Sequence, residues 1–145
     1  MSPPELRSDD HEELAPRLRW SITRLARRLR QEAGTDLGPS QVAALATIER
    51  HGPLSPSELA ESERIKRPTA TRILRHLEEA GLVERVRDPE DGRGSILSAT
   101  TAGRTHLKRL RARKTAYLAT RIDKLDVEDR RTLERAAELL EGLLE

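Results

Sequence analysis

The stretch SPSELAESERIKRPTATRILRHLEEAG, Ser55–Gly81, carries two helix starts and one helix stop in quick succession. Ser55 is a helix cap, Pro56 suits a first helical position, and Glu58 stands three residues after the cap, where its carboxylate reaches back to complete a capping box. The pattern predicts a short helix from Pro56 to about Glu63. After a break at Arg64 to Lys66, Ala70, Ile73, Leu74 and Leu77 recur on one helix face. They predict a second helix from Arg67 to Ala80, closed by Gly81. Two helices across so tight a break form a helix-turn-helix candidate.

Downstream, Val83–Arg87 and Ser95–Ala99 read as two short strands joined by a turn. Asp-Pro and Asp-Gly are turn formers, and Gly92 and Gly94 accept the positive φ a hairpin tip requires. Arg93 stands alone between those glycines. By itself that reads either as turn chemistry with an incidental arginine or as an arginine presented at the tip. After a helix-turn-helix the second reading gains weight, because the order is that of a winged helix. There the second helix enters a major groove about 12 Å wide and the hairpin reaches the adjacent minor groove or backbone. A narrow minor groove concentrates negative potential, which a lone arginine meets.

Upstream, Leu14, Leu18, Ile22, Leu25 and Leu29 predict a first helix from about His11 to Ala33, ended by Gly34. Its other side carries Arg17, Arg19, Arg24, Arg27, Arg28 and Arg30, a solvated or inter-subunit face with membrane-surface binding as the alternative. Pro39 opens a helix with Val42, Leu45, Ala46 and Ile48 that ends at His51-Gly52-Pro53. Thr100 caps a fifth helix, with Leu107, Leu110, Leu118, Ile122 and Leu125 on one face. Asp126 caps a sixth, with Leu133, Ala137, Leu140 and Leu144 in register. The first, fifth and sixth helices enclose no core of their own, so their stripes need each other or a second chain. The expected fold class is mainly α (α+β). A winged helix-turn-helix covers residues 37–100, and residues 1–36 and 101–145 form a helical dimerisation module.

The composition narrows the function. Charged residues make up 36% of the chain, yet the net charge is only +2, so net charge alone does not announce a polyanion ligand. The distribution does. Between Arg64 and Arg87 seven Lys or Arg face three Glu, whereas Asp126–Glu145 holds seven acidic residues against three arginines, and the first thirteen residues are also acidic. A polyanion meets the centre and is repelled by both ends. The absence of cysteine excludes disulfides, thiolate metal sites and cysteine redox sensing. Trp20 and Tyr117 are the only aromatic residues, which disfavours single-strand stacking and RNA-recognition sheets. No apolar run nears the ~18 residues of a membrane span, and the N-terminus lacks the parts of a signal peptide. A cytoplasmic protein with no membrane partner is therefore expected. His11, His51, His76 and His106 are scattered, so no metal is expected, zinc shared across a dimer being the alternative. No cofactor motif or catalytic constellation is present, and the chain reads as no enzyme.

LSPSELAE (Leu54–Glu61), PTATRILRHLEEAGLVER (Pro68–Arg85) and DPEDGR (Asp88–Arg93), followed by Thr100 and Gly103, together resemble the MarR (multiple antibiotic resistance regulator) family of transcription factors. The resemblance covers roughly residues 37–107. It implies a homodimer whose first, fifth and sixth helices intertwine, with Leu14, Leu18, Ile22, Leu118, Ile122, Leu133, Leu140 and Leu144 at the interface. It also implies a repressor acting at a palindromic operator in double-stranded DNA. By position, Arg67, Pro68, Thr69 and Arg72 match the base-reading part of the recognition helix. Arg72, whose fork suits guanine edges, is the strongest hydrogen-bonding candidate, with a phosphate contact as its alternative. Ser55, Arg64, Lys66, Thr71 and Arg75 match backbone contacts; for Arg75 a surface ion pair with Glu78 or Glu79 is equally open. Asp91 matches the Asp-x-Arg pattern of the wing, which it braces through Arg85 or Arg87, unless it is an exposed turn aspartate. Gly92, Arg93 and Gly94 complete that wing.

In many members a small aromatic or anionic ligand enters a pocket between the winged domain and the dimer helices and releases DNA. Trp20 and nearby arginines are its candidate lining here, with plain packing as the alternative for Trp20. The lack of cysteine argues against the thiol-oxidation branch of the family. Two departures stand out. Arg64-Ile65-Lys66 occupies the turn where members often show Gly-Val-Ser, so the turn lacks its glycine and the next helix its usual cap. Strain or another turn geometry there, and phosphate contacts shifted toward Arg64 and Lys66, are expected. Ala99 stands where leucine is common, which bears on the packing of the second wing strand. A rival reading, a winged helix serving as a protein-interaction scaffold, predicts apolar outward residues where this chain has Arg67, Thr69, Arg72 and Arg75.

Overall fold

The structure is a computed structural model that describes residues 8–90, 92 and 94–145. Its elements are α1 (Ser8–Ala33), α2 (Pro39–His51), α3 (Pro56–Glu63), α4 (Arg67–Glu79), β1 (Val83–Arg87), β2 (Ser95–Ala99), α5 (Thr101–Ile122) and α6 (Val127–Gly142). This is the mainly helical fold with a small antiparallel sheet that the sequence predicts. Boundaries differ slightly. α1 begins at Ser8 rather than His11 and runs through Pro16, whose ring removes one backbone donor from the helix. α4 ends at Glu79, with Ala80 as its cap.

The winged domain closes around aliphatic side chains. Leu45 and Ile48 of α2, Leu59 of α3, and Ala70, Ile73, Leu74 and Leu77 of α4 converge with Leu82, Val83, Leu97, Ala99 and Leu107. All four inner-face residues of α4 are buried. β1 and β2 pair antiparallel from Val83 opposite Ala99 to Arg87 opposite Ser95. Ala99 is buried in that register, so the smaller side chain is accommodated at the strand's end. Leu54 contributes a one-residue third strand: its N–H donates to the Leu97 carbonyl at 3.0 Å, and the Leu97 N–H donates back at 2.8 Å.

At the root of the wing the chain is pinned to α5. The Thr100 hydroxyl accepts the Gly103 N–H at 3.0 Å, capping the helix, and donates to the Gly81 carbonyl at 2.7 Å. A Cβ on Gly103 would lie 2.2 Å from the Leu82 carbonyl oxygen. Only glycine permits this close approach. Arg104 adds a hydrogen bond from Nη1 to the Ala99 carbonyl at 2.9 Å.

α1 packs antiparallel along α5, with Arg113 Nη1 donating to the Ala33 carbonyl at 2.8 Å and Arg28 reaching Tyr117. α6 buries no residue. Leu133 on α6 and Leu144 just beyond it are 47% and 87% exposed, and Leu14, Ile22 and Leu25 of α1 are also exposed. Among the described residues no helix is long and apolar enough to cross a membrane.

Candidate nucleic-acid interface

The helix pair is built by reciprocal capping and a left-handed turn. The Glu58 N–H donates to Ser55 Oγ at 3.1 Å, and the Ser55 N–H donates to Glu58 Oε1 at 3.2 Å. The Ser55 hydroxyl proton is left for an outside acceptor. Arg64 then adopts φ 55°, ψ 45°, the one positive-φ non-glycine among the described residues. Its N–H donates to the Glu61 carbonyl at 3.2 Å, and the Ile65 N–H donates to the Ala60 carbonyl at 2.9 Å. That pairing is a Schellman ending, a role glycine fills at no steric cost and an arginine at about 1–2 kcal/mol. The turn therefore keeps the geometry of a glycine turn while presenting a guanidinium. Lys66 caps α4 without a side-chain hydrogen bond, so N–H groups at the start of α4 stay open to an acceptor.

Along α4, Pro68, Arg72, Arg75 and Glu79 are exposed at i, i+4, i+7 and i+11, opposite the buried face. Arg64, Lys66, Arg67 and Thr71 are exposed beside them, whereas Thr69 is half-buried. Among the described residues no carboxylate lies within 4 Å of the guanidinium of Arg67, Arg72 or Arg75. The alternative pairing of Arg75 with Glu78 or Glu79 is thus absent. Glu78 instead meets Arg85 Nε of β1 at 3.3 Å. Arg85 is engaged there, which removes it as a ready partner for the wing. Asp91 and Arg93 lie outside the described residues. Gly92 is exposed and Gly94 half-buried, its carbonyl accepting the Asp88 N–H at 3.0 Å to close the hairpin. At the turn's entry the Glu90 N–H donates to Asp88 Oδ1 at 2.9 Å.

Trp20 lies away from the winged domain. It is 59% exposed, nine residues and hence half a helical turn from Leu29, with the Arg24 guanidinium 5.6 Å from its ring centroid. The groove beside it is lined by α1 residues alone, Arg24, Arg27 and Gln31 among them. A separate groove does join the winged domain to α5, lined by Thr47, Glu49, Arg50 and His51 of α2 and by Arg111. Arg111 Nη1 meets Glu49 Oε1 across it at 2.9 Å. No pattern along the chain flagged that pair. The Thr47 hydroxyl also donates to Glu63, tying α2 to α3. His51 and His76 are exposed, and His106 Nε2 meets Thr35 Oγ1 at 3.0 Å. The side chain of His11 lies outside the described ones.

The MarR family model matches residues 37–95. An uncharacterized HTH-type transcriptional regulator of Mycobacterium bovis is 33% identical over 138 residues, 94% of this chain and 96% of its own length. This chain belongs to the MarR family. As a MarR-family protein it is a DNA-binding transcriptional regulator of the helix-turn-helix type. Among solved structures, a putative transcriptional regulator from Pseudomonas aeruginosa superposes with a TM-score of 0.84 at 35% identity, covering 94% of this chain and 98% of that one. A mutant of S. aureus MepR bound to an oligodeoxyribonucleotide shares the MarR fold with a TM-score of 0.70 at 19% identity, covering 91% of this chain and 98% of that one.

Proposed function

We propose that this MarR-family protein is a homodimeric repressor that reads a palindromic operator in double-stranded DNA, one α4 per half-site. The observation that carries the reading is the exposed row of Pro68, Arg72 and Arg75, its guanidinia without an ion pair among the described residues, on a helix whose other face is buried. Such guanidinia need not surrender an intramolecular partner to bind, and their forks match guanine edges or phosphate. Arg67, Pro68, Thr69 and Arg72 read bases. Ser55, Arg64, Lys66, Thr71 and Arg75 hold the backbone, and Arg93, between Gly92 and Gly94 on the wing that Asp91 braces, enters the minor groove. Residues 37–100 act as the DNA-binding domain; residues 1–36 and 101–145 act as the dimerisation module. The protein acts in the cytoplasm and needs no catalysis.

The dimer reading rests on α6. Its apolar side is uncovered within one protomer, and a second copy would cover it together with Leu14, Leu18, Ile22, Leu118 and Ile122. Charge agrees: α5 carries seven Lys or Arg and no acid, whereas α6 carries five acids and three arginines. A small anionic ligand would compete with Glu49 for Arg111 in the groove joining α2 to α5, where a change reaches both modules. Trp20 is a second candidate contact on α1.

The test is enrichment of genomic fragments by the wild type and by Arg72→Ala at one fixed salt concentration. The wild type is expected to enrich a palindrome. Arg72→Ala loses about 1–3 kcal/mol of base discrimination and keeps salt-sensitive nonspecific binding. If the wild type enriches no duplex, the operator reading fails and the protein-scaffold rival takes its place.

A further inference from the structure

A concave groove of about 360 Å³ lies between the C-terminal halves of α1 and α5, outside the winged domain and apart from the α2/α5 groove. Tyr117 forms part of its wall, and two guanidinia lie over the ring. Arg121 Cζ is 4.4 Å and Arg28 Cζ 5.7 Å from the centroid. Arg28 is fixed twice, by Nε to the Tyr117 hydroxyl at 3.3 Å and by Nη2 to Glu32 at 2.8 Å. The hydrogen bond to Tyr117, and then the Glu32 carboxylate, hold Arg28 above the usual arginine range. Arg113 is fixed by its bond to the Ala33 carbonyl. Arg121 and Lys124 also line the groove and, among the described residues, have no carboxylate within 4 Å. Three cations, Arg113, Arg121 and Lys124, therefore line the groove with one carboxylate, Glu32, which Arg28 beside it already neutralises.

We propose that this groove binds a compact oxyanion carrying two or more negative charges, held by Arg121 and Lys124 with Arg113 at the back. Three physical features favour such an occupant. The volume falls within the range of small-molecule sites, roughly 300–1,000 Å³. The bare face of a tyrosine repels an anion, but a guanidinium stacked on it reverses the local sign and leaves an N–H edge for a paired hydrogen bond. The anchors on Arg28 and Arg113 order those side chains before the ligand arrives, which lowers the entropy lost on binding. Phosphate and carboxylate chemistries share this recognition. The site does not depend on the DNA-binding reading, since none of its residues belongs to the winged domain.

The experiment is isothermal titration of the full chain with inorganic pyrophosphate and, separately, citrate, at an ionic strength fixed with chloride. Four proteins are compared: wild type, Arg121→Gln/Lys124→Gln, Lys124→Glu, and Arg67→Gln/Arg72→Gln as a control at the DNA face. Wild type and the control are expected to bind one anion per chain, with the preferred anion identifying the source as phosphate or carboxylate. Both groove variants, altered only at exposed residues, should weaken it about tenfold or more, as loss of a charge-assisted hydrogen bond does. Equal binding in wild type and the groove variants overturns the proposal. So does loss of binding in the control alone, or no saturable binding by wild type. A groove variant that shifts the monomer–dimer equilibrium while anion binding stays unchanged would assign the cleft to a second copy and also overturn it.

Discussion

Replacing Arg64 separates folding from binding at a single residue. In the left-handed conformation of φ 55°, ψ 45° a side chain costs about 1–2 kcal/mol, which glycine avoids. Glycine gives back about 0.4–1 kcal/mol because its unfolded chain is freer. Arg64→Gly should therefore stabilise each protomer by about 0.5–1 kcal/mol and raise Tm by about 2–4 °C at fixed protein concentration. Arg64→Ala keeps the backbone penalty and should melt below the glycine variant, by a difference near 1 kcal/mol. Both variants lose the guanidinium. If Arg64 meets one phosphate in each protomer of a dimer, the slope of log affinity against log salt becomes shallower by about 1.8 for both. Circular dichroism melts and fluorescence anisotropy across a salt series read the two effects independently. An alanine variant as stable as the glycine variant would refute the strain argument. An unchanged salt slope in both would refute the phosphate contact.

Other perturbations test the pinned wing root and the open helix. Gly103→Ala forces a methyl to within 2.2 Å of the Leu82 carbonyl oxygen and should cost more than about 2 kcal/mol, read as a lowered denaturant midpoint. Thr100→Val removes the cap and the bond to Gly81 and should cost about 1–2 kcal/mol in the same assay. Leu133→Asp alters a side chain that is 47% exposed in the protomer, so it should matter only where a second copy covers it. Sedimentation should then show a dimer Kd raised roughly 100- to 10,000-fold, as expected for losing a buried leucine twice across a two-fold interface.

The parts of the fold that read directly from the chain are those set by neighbours a few residues apart. Ser55 and Glu58 announce their capping box, the inner face of α4 follows from the spacing of Ala70, Ile73, Leu74 and Leu77, and both strands fall where the turn residues put them. What escapes depends on approach between distant segments. Leu54 pairs with Leu97 without any alternation to mark it as a strand. Arg85 finds Glu78 because the chain reverses at Gly81, so the nearer-looking pairing of Glu78 with Arg75 never forms. The Tyr117 groove requires the register of α1 against α5, which brings together Arg28 and Tyr117, 89 residues apart. The exposure of Trp20 is legible in the chain: helical phase alone places it half a turn from Leu29, off the apolar stripe. For Arg64 the missing glycine signalled an unusual turn, but only backbone angles show that the arginine adopts the glycine conformation.

The sole tryptophan has a practical consequence. The winged core is built from leucine, isoleucine, valine and alanine, so that domain has no intrinsic fluorophore, and its unfolding is optically silent at tryptophan wavelengths. Emission comes instead from an indole on the outer face of α1. A change in that emission when duplex DNA is added would report an effect that reaches α1, outside the helix-turn-helix. The unmodified chain thus carries its own label for communication between its two halves, placed at the end where no operator contact is expected.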